Sequence, residues 1–300
     1  MHTVRPLATL LFIMMVSLPV GAEQTTTGRQ HPRTDLASSS PQPPATAVKL
    51  GWSAYQHGDI PGAIASYRTA VSATPSDSTL WYDLGCLYAL NHDMPAARAA
   101  FQHALLLNPH LAPAHDALGQ LAEQEEASDG ALSSYRRAVE LEPKTAKFLT
   151  HLARIHLRRG DHAAAQETLQ RLLQLSPNDA TAHLQLGVLA LEANTPDLAV
   201  HHFQRVIEQS PSNVVAWNGL GLAYVRLKTY DEASRALERA DALDPQNAKT
   251  QTNLGILAAA EQRWQEARAA WERALEIDPS FAPAQANLSA LNPGATPSSP

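Results

Sequence analysis

Apolar and small residues recur along this chain on a beat of 34 residues. Units 44–77, 78–111, 112–145, 146–179, 180–213, 214–247 and 248–281 align without a slip, and each carries a proline near its end, from Pro75 and Pro109 to Pro279. One column reads Leu50, Leu84, Leu118, Leu152, Leu186, Leu220 and Leu254. The next holds Gly51, Gly85, Gly119, Ala153, Gly187, Gly221 and Gly255. A third is alanine in every unit, Ala63 through Ala267. Four residues later stands a bulky side chain: Tyr67, Phe101, Tyr135, Leu169, Phe203, Leu237 and Trp271.

These columns have helical spacing. In the second unit Trp81, Leu84, Gly85 and Tyr88 share one helix face, and Ala97, Phe101, Ala104 and Leu105 share the face of a second helix. Asp93 is placed to cap the second helix, with Pro95 in its first turn, where a missing N–H costs nothing; Asp59 and Pro61 repeat the arrangement. The recurring proline ends each hairpin, because it turns the residue before it away from helical geometry. A lone hairpin has no partner for its outer apolar face, so neighbours must stack.

The order Trp81-x-x-Leu84-Gly85-x-x-Tyr88, Ala97-x-x-x-Phe101, Pro109 resembles the tetratricopeptide repeat, and Trp217, Leu220, Gly221, Tyr224, Ala233, Leu237 and Pro245 repeat it. The resemblance spans all seven units. Ala153 and His156, and His115 and His183 in the place of Trp81, are local departures. It implies an all-α fold, a superhelical α–α solenoid of seven hairpins with a concave groove lined by the first helix of each pair. Residues 282–291 restart the pattern and read as a capping helix.

Composition agrees with packed helices: 44% hydrophobic, 6% aromatic, with a formal charge of -6 that disfavours nucleic acid as a partner. The start is different. A basic beginning, an apolar run from Leu7 to Leu18 and small residues at Val20 and Ala22 predict a secretory signal over 1–22, cleaved after Ala22. The alternative is an uncleaved anchor, the one route to a membrane; the run is short against the roughly 20 residues a span needs. Residues 23–43 read as a disordered linker and 292–300 as a disordered tail. Export would place the protein in a periplasm or outside the cell.

Signal, linker, repeats, cap and tail account for every residue, so no catalytic domain is expected, and no Gly-rich phosphate loop, Cys pair or HExxH occurs. Cofactor and catalytic assignments are therefore none. The thirteen histidines offer His201–His202 and His151 with His156, spacings that do not suit one metal, so no metal is assigned. Cys86, the only cysteine, reads as a small buried filler or, if exposed, a site of intermolecular bonding.

The groove remains. On each first helix the stripe beside the packing face, spaced 3, 4 and 3, gives Val48, Trp52 and Tyr55 in the first unit and Tyr82 and Cys86 in the second. The third is polar with Asp116, Gln120 and Glu123. The fourth is basic with Lys147 and Arg154, and Arg158 beside them. Leu184, Val188 and Leu191, then Asn218, Leu222 and Val225, and finally Ile256 complete it. The aliphatics suit an amphipathic helix or extended segment, and the cations an acidic group; packing against the next repeat would use the same aliphatics. The lysine, asparagine and arginine pattern with which chaperone-associated relatives grip a C-terminal carboxylate is absent. The expected function is a non-catalytic scaffold for a protein or peptide partner of the bacterial cell envelope. The alternative is an accessory subunit of an envelope polysaccharide-assembly or secretion complex, with Trp52, Tyr55 and Tyr82 stacking on sugar rings.

Overall fold

The computed structural model describes residues 44–291; the expected signal, linker and tail lie outside the described residues. Fifteen helices and no strand occur among them. They are α1 (Pro44–Gln56), α2 (Ile60–Ala73), α3 (Ser78–Leu90), α4 (Met94–Leu107), α5 (Ala112–Gln124), α6 (Ser128–Leu141), α7 (Ala146–Arg159) and α8 (His162–Leu175). There follow α9 (Ala180–Glu192), α10 (Pro196–Gln209), α11 (Val214–Leu227), α12 (Tyr230–Leu243), α13 (Ala248–Ala260), α14 (Trp264–Ile277) and α15 (Ala282–Leu291). Two helices per 34-residue unit and a final single helix match the sequence reading. The fold is the all-α solenoid of tetratricopeptide hairpins.

The chain divides into two compact units, Met1–Ile155 and His156–Pro300. In the first, α1 pairs with α2, α3 with α4 and α5 with α6, and α2 packs on α3 and α4 on α5. In the second, α9 pairs with α10, α11 with α12 and α13 with α14, and α15 covers α14. The first helices α9, α11 and α13 also lie side by side.

The columns explain these contacts. A Cβ at Gly85 would stand 2.6 Å from the Phe101 ring; at Gly119, 2.6 Å from Tyr135; at Gly255, 2.3 Å from Trp271. The glycine column is therefore the seat of the bulky column, and the alanines, fully buried from Ala63 to Ala267, let the paired helices approach. Asp59 accepts from Gly62 N and Asp93 from Ala96 N, as their capping positions predict. Each second helix closes on an extended residue, with φ between -131° and -146°, just before the recurring proline.

Two further periodicities become visible only in the structure. The turn inside every hairpin holds one residue with positive φ, 55° to 78°, at Gly58, His92, Glu126, Gly160, Asn194, Lys228 and Gln262. The backbone geometry repeats at 34 residues although only two of the seven are glycine. At five of the seven corners the carbonyl of the recurring proline also accepts a hydrogen bond from the side chain six residues later. Trp81 Nε1 donates to Pro75 O at 2.9 Å, Trp217 Nε1 to Pro211 O at 2.9 Å, and Gln285 Nε2 to Pro279 O at 2.8 Å. His115 and His183 use Nε2 on Pro109 O and Pro177 O, both at 3.0 Å. The histidine departures from tryptophan thus keep the column's polar task, which is to satisfy the corner carbonyl.

Candidate functional site

In the second unit the predicted stripe converges. Val188, Leu191 and Glu192 of α9, Val215, Asn218, Gly219, Leu222 and Arg226 of α11, and Lys249 and Asn253 of α13 enclose a cavity of about 220 Å³ whose floor is Phe203 of α10. Glycine makes that floor possible: a Cβ would stand 2.7 Å from the Phe203 ring at Gly187 and 2.3 Å from it at Gly219, so the ring is held between α9 and α11. Leu191 and Asn218 are buried, while Val188 and Leu222 are half-buried and open to the cavity.

Asn218, only 2% exposed, organises the polar part of the wall. Its Nδ2 donates to Val214 O at 3.1 Å and to Thr250 Oγ1 at 2.8 Å, and its Oδ1 accepts from Asn253 Nδ2 at 3.0 Å. Both amide hydrogens and the oxygen are engaged, which ties α11 to α13 and satisfies a buried amide. Arg226 Nη1 donates to the Leu191 carbonyl at the end of α9. The exposed Arg226 and Lys249 put cations at the rim, and Glu192 is paired with His162 Nδ1 at 2.8 Å.

The first unit treats the same stripe differently. Asp116 of α5, wholly buried, sits 2.6 Å from His151 Nδ1 and 3.4 Å from Lys147 Nζ, both on α7, and accepts from Gln120 Nε2 at 2.8 Å. One turn further along, Arg154 Nε and Nη2 fork onto Glu123 at 2.9 and 2.6 Å, and Tyr135 donates to Glu123 at 2.7 Å. Burial draws the Lys147 amine down to about 8 against the pull of Asp116. Burial also opposes the Arg154 charge, but Glu123 outweighs it, and the guanidinium lies above its ordinary value.

Several predicted residues are therefore placed otherwise than expected. Lys147 and Arg154 are not presented to an external acid; each already faces a carboxylate of the preceding repeat. Tyr82 is 3% exposed, with its ring 5.6 Å from Phe101, so it offers no face to a sugar. Cys86 is buried beneath it, and burial pushes the thiol up to about 12. Trp52 is half-buried, 5.6 Å from Tyr55. Leu184, Val225 and Ile256 pack at the margins of apolar clusters outside the cavity lining, and Arg158 is exposed. Lys249, the first stripe position of the seventh unit, lines the cavity, and so do Arg226 and Asn253, which lie off the stripe. Asn253 is one position past the stripe and Arg226 lies in the last turn of α11.

Family comparison adds to this geometry. A tetratricopeptide repeat model matches residues 48–115, and a model described as the cilia and flagella-associated protein 70 C-terminal domain matches 111–278. The chain belongs to the tetratricopeptide repeat family. Such repeats are scaffolds for protein–protein interaction, and that broad reading holds here. No curated protein matches the sequence. Among solved structures, YrrB, described as a tetratricopeptide repeat protein with an unusual peptide-binding site, is 21% identical. The alignment covers 63% of this chain and 97% of YrrB, with a TM-score of 0.55. The Pseudomonas aeruginosa pilF product is 18% identical over 72% of this chain and 98% of its own, with a TM-score of 0.56. A tetratricopeptide repeat protein of Parabacteroides merdae is 15% identical over 83% and 98%, with a TM-score of 0.54. These likenesses are of fold.

Proposed function

We propose that this protein is a non-catalytic scaffold whose fifth to seventh repeats bind an extended peptide segment of a protein partner. The observation that carries the reading is the cavity between α9, α11 and α13. It has an apolar floor open to a side chain, amides fixed by one another, and cations at its rim. An apolar residue seated on Val188, Leu222 and Phe203 with a carboxylate near Arg226 and Lys249 fits that lining. The amide ladder means that the receptor loses little freedom on binding. The peptide-binding site in YrrB's description is consistent with this use of the fold.

The setting we propose is the cell envelope, on the strength of the basic start, the apolar Leu7–Leu18 run and the small residues before Glu23.

Panning a displayed random peptide library on the full chain tests the groove. Enriched peptides should pair an aliphatic or aromatic residue with an acidic one. Leu222→Asp, half-buried at the cavity, should weaken them by tenfold or more, about 1.4 kcal/mol, and leave the thermal midpoint within a few degrees. Equal binding by the variant would refute the site.

A further inference from the structure

The outer side of the fifth hairpin gathers three imidazoles, of which His183 alone has a histidine counterpart by register, His115 in the third repeat. The 34-residue register makes the setting plain. In the second repeat the cleft beside Trp81 is lined by Ala99 and Ala100, with His103 stacked on the indole at 4.1 Å. Three repeats on, Trp81 becomes His183, and Ala99 and Ala100 become His201 and His202. His183 Nδ1 stands 2.9 Å from His202 Nδ1, and His201 lies beside them, its ring 5.2 Å from that of His202 and 6.4 Å from that of His183.

The proton positions follow from the partners. Pro177 O only accepts, so His183 Nε2 carries a hydrogen. In the neutral ring His183 Nδ1 is then a lone pair, and His202 Nδ1 must donate to it. One added proton is tolerated: His183 becomes the donor and His202 shifts its hydrogen to Nε2. A second proton is not, because two N–H groups would face each other at 2.9 Å between two cations.

We propose that the His183–His202 pair is an acid-sensitive latch that holds α9 to α10 and to the Pro177 corner while it carries one proton or none, and releases when it takes two. Control of partner binding by this latch rests on the groove reading above, since α9 supplies Val188 and Leu191.

The charges around the pair do not offset the second proton. His201 is a further potential cation on α10. Arg205, also on α10, is already engaged with Glu208 at 2.6 Å and Asn178 at 2.7 Å. Asp179, at the start of α9, is occupied as the cap of Ala182 N. By register α8 faces the pair with Gln170, Leu173 and Gln174, which do not titrate. Burial, then His183 and His201, bring His202 down to about 4, and no carboxylate is among the groups acting on it. The sign is fixed. An unfolded imidazole binds its proton near about 6.5, so between there and about 4 the unfolded chain holds more protons. The stability associated with an uncharged His202 is complete above that window and is lost as pH falls through it.

Hydrogen exchange on the full chain, corrected for intrinsic rates, reads the latch without any ligand. Between pH 7 and pH 5 protection of α9 and α10 should fall roughly fivefold more than that of α3 and α4, a change set by the displaced imidazole titration and discounted for its partial exposure. His183→Trp installs the residue that Trp81 and Trp217 already use at this column, and should abolish that excess. His202→Gln, a non-titrating donor to His183 Nδ1, should do the same should the tryptophan disturb folding. An equal fall in both hairpins, or an excess retained in both variants, would overturn the latch. Failure of peptide capture at pH 7 would instead count against the groove.

Discussion

The two units spend the same stripe of positions in opposite ways. In the first, carboxylates on α5 meet cations on α7, and Asp116, Glu123, Lys147, His151 and Arg154 satisfy one another. In the second, the corresponding surface is aliphatic with buried amides, and a cavity of about 220 Å³ stays open. A charge in a repeat array has a neighbour 31 to 35 residues away, and opposite charges placed there close on each other. Aliphatics placed there pack only as far as their shapes allow, and the glycines that seat Phe203 leave room above the ring.

The largest effect that would break the contrast is removal of Asp116. Asp116→Ala strands a buried imidazole and a half-buried ammonium, and should cost on the order of 3 kcal/mol in urea unfolding, with Asp116→Asn milder because it keeps an acceptor for Gln120. Next comes Asn218→Ala, which cuts the amide ladder between α11 and α13 and leaves Asn253 short of a partner. About 2 kcal/mol is expected, together with weaker peptide capture. Arg154→Ala should cost under about 1 kcal/mol, because the pair with Glu123 is partly solvated, and should leave capture by the second unit unchanged. The smallest effect is a pH dependence. Lys147 titrates near 8 in the folded chain, below an unfolded lysine, so the unfolded chain holds more protons between pH 8 and about 10. Wild-type stability should rise relative to Lys147→Met across that window, measured as the difference in urea midpoints.

The fold was legible because its columns are physical necessities: a glycine under each ring, an alanine at each crossing, a proline at each corner. The left-handed turn residue was not, since His92, Glu126, Asn194, Lys228 and Gln262 share no chemistry and are held there by the helices on either side. Of the predicted groove, Val188, Leu191, Asn218 and Leu222 do meet. Lys147 and Arg154 look available while their unit is taken alone; aligned with the preceding unit, Asp116 and Glu123 on the same stripe are their visible partners. Tyr82 differs for another reason. Its own hairpin supplies Phe101 to cover it, a contact that the stripe does not encode. His183 and His202, 19 residues apart on two helices, escape any search for metal or catalytic spacing within one helix.

We propose that the first helices of the second unit form the binding surface. Hydrogen exchange of the full chain with and without the tightest peptide from the library tests it most directly. Exchange should slow in α9, α11 and α13 and stay unchanged in α3, α5 and α7. Protection confined to α3, α5 and α7, or spread evenly over both units, would contradict it.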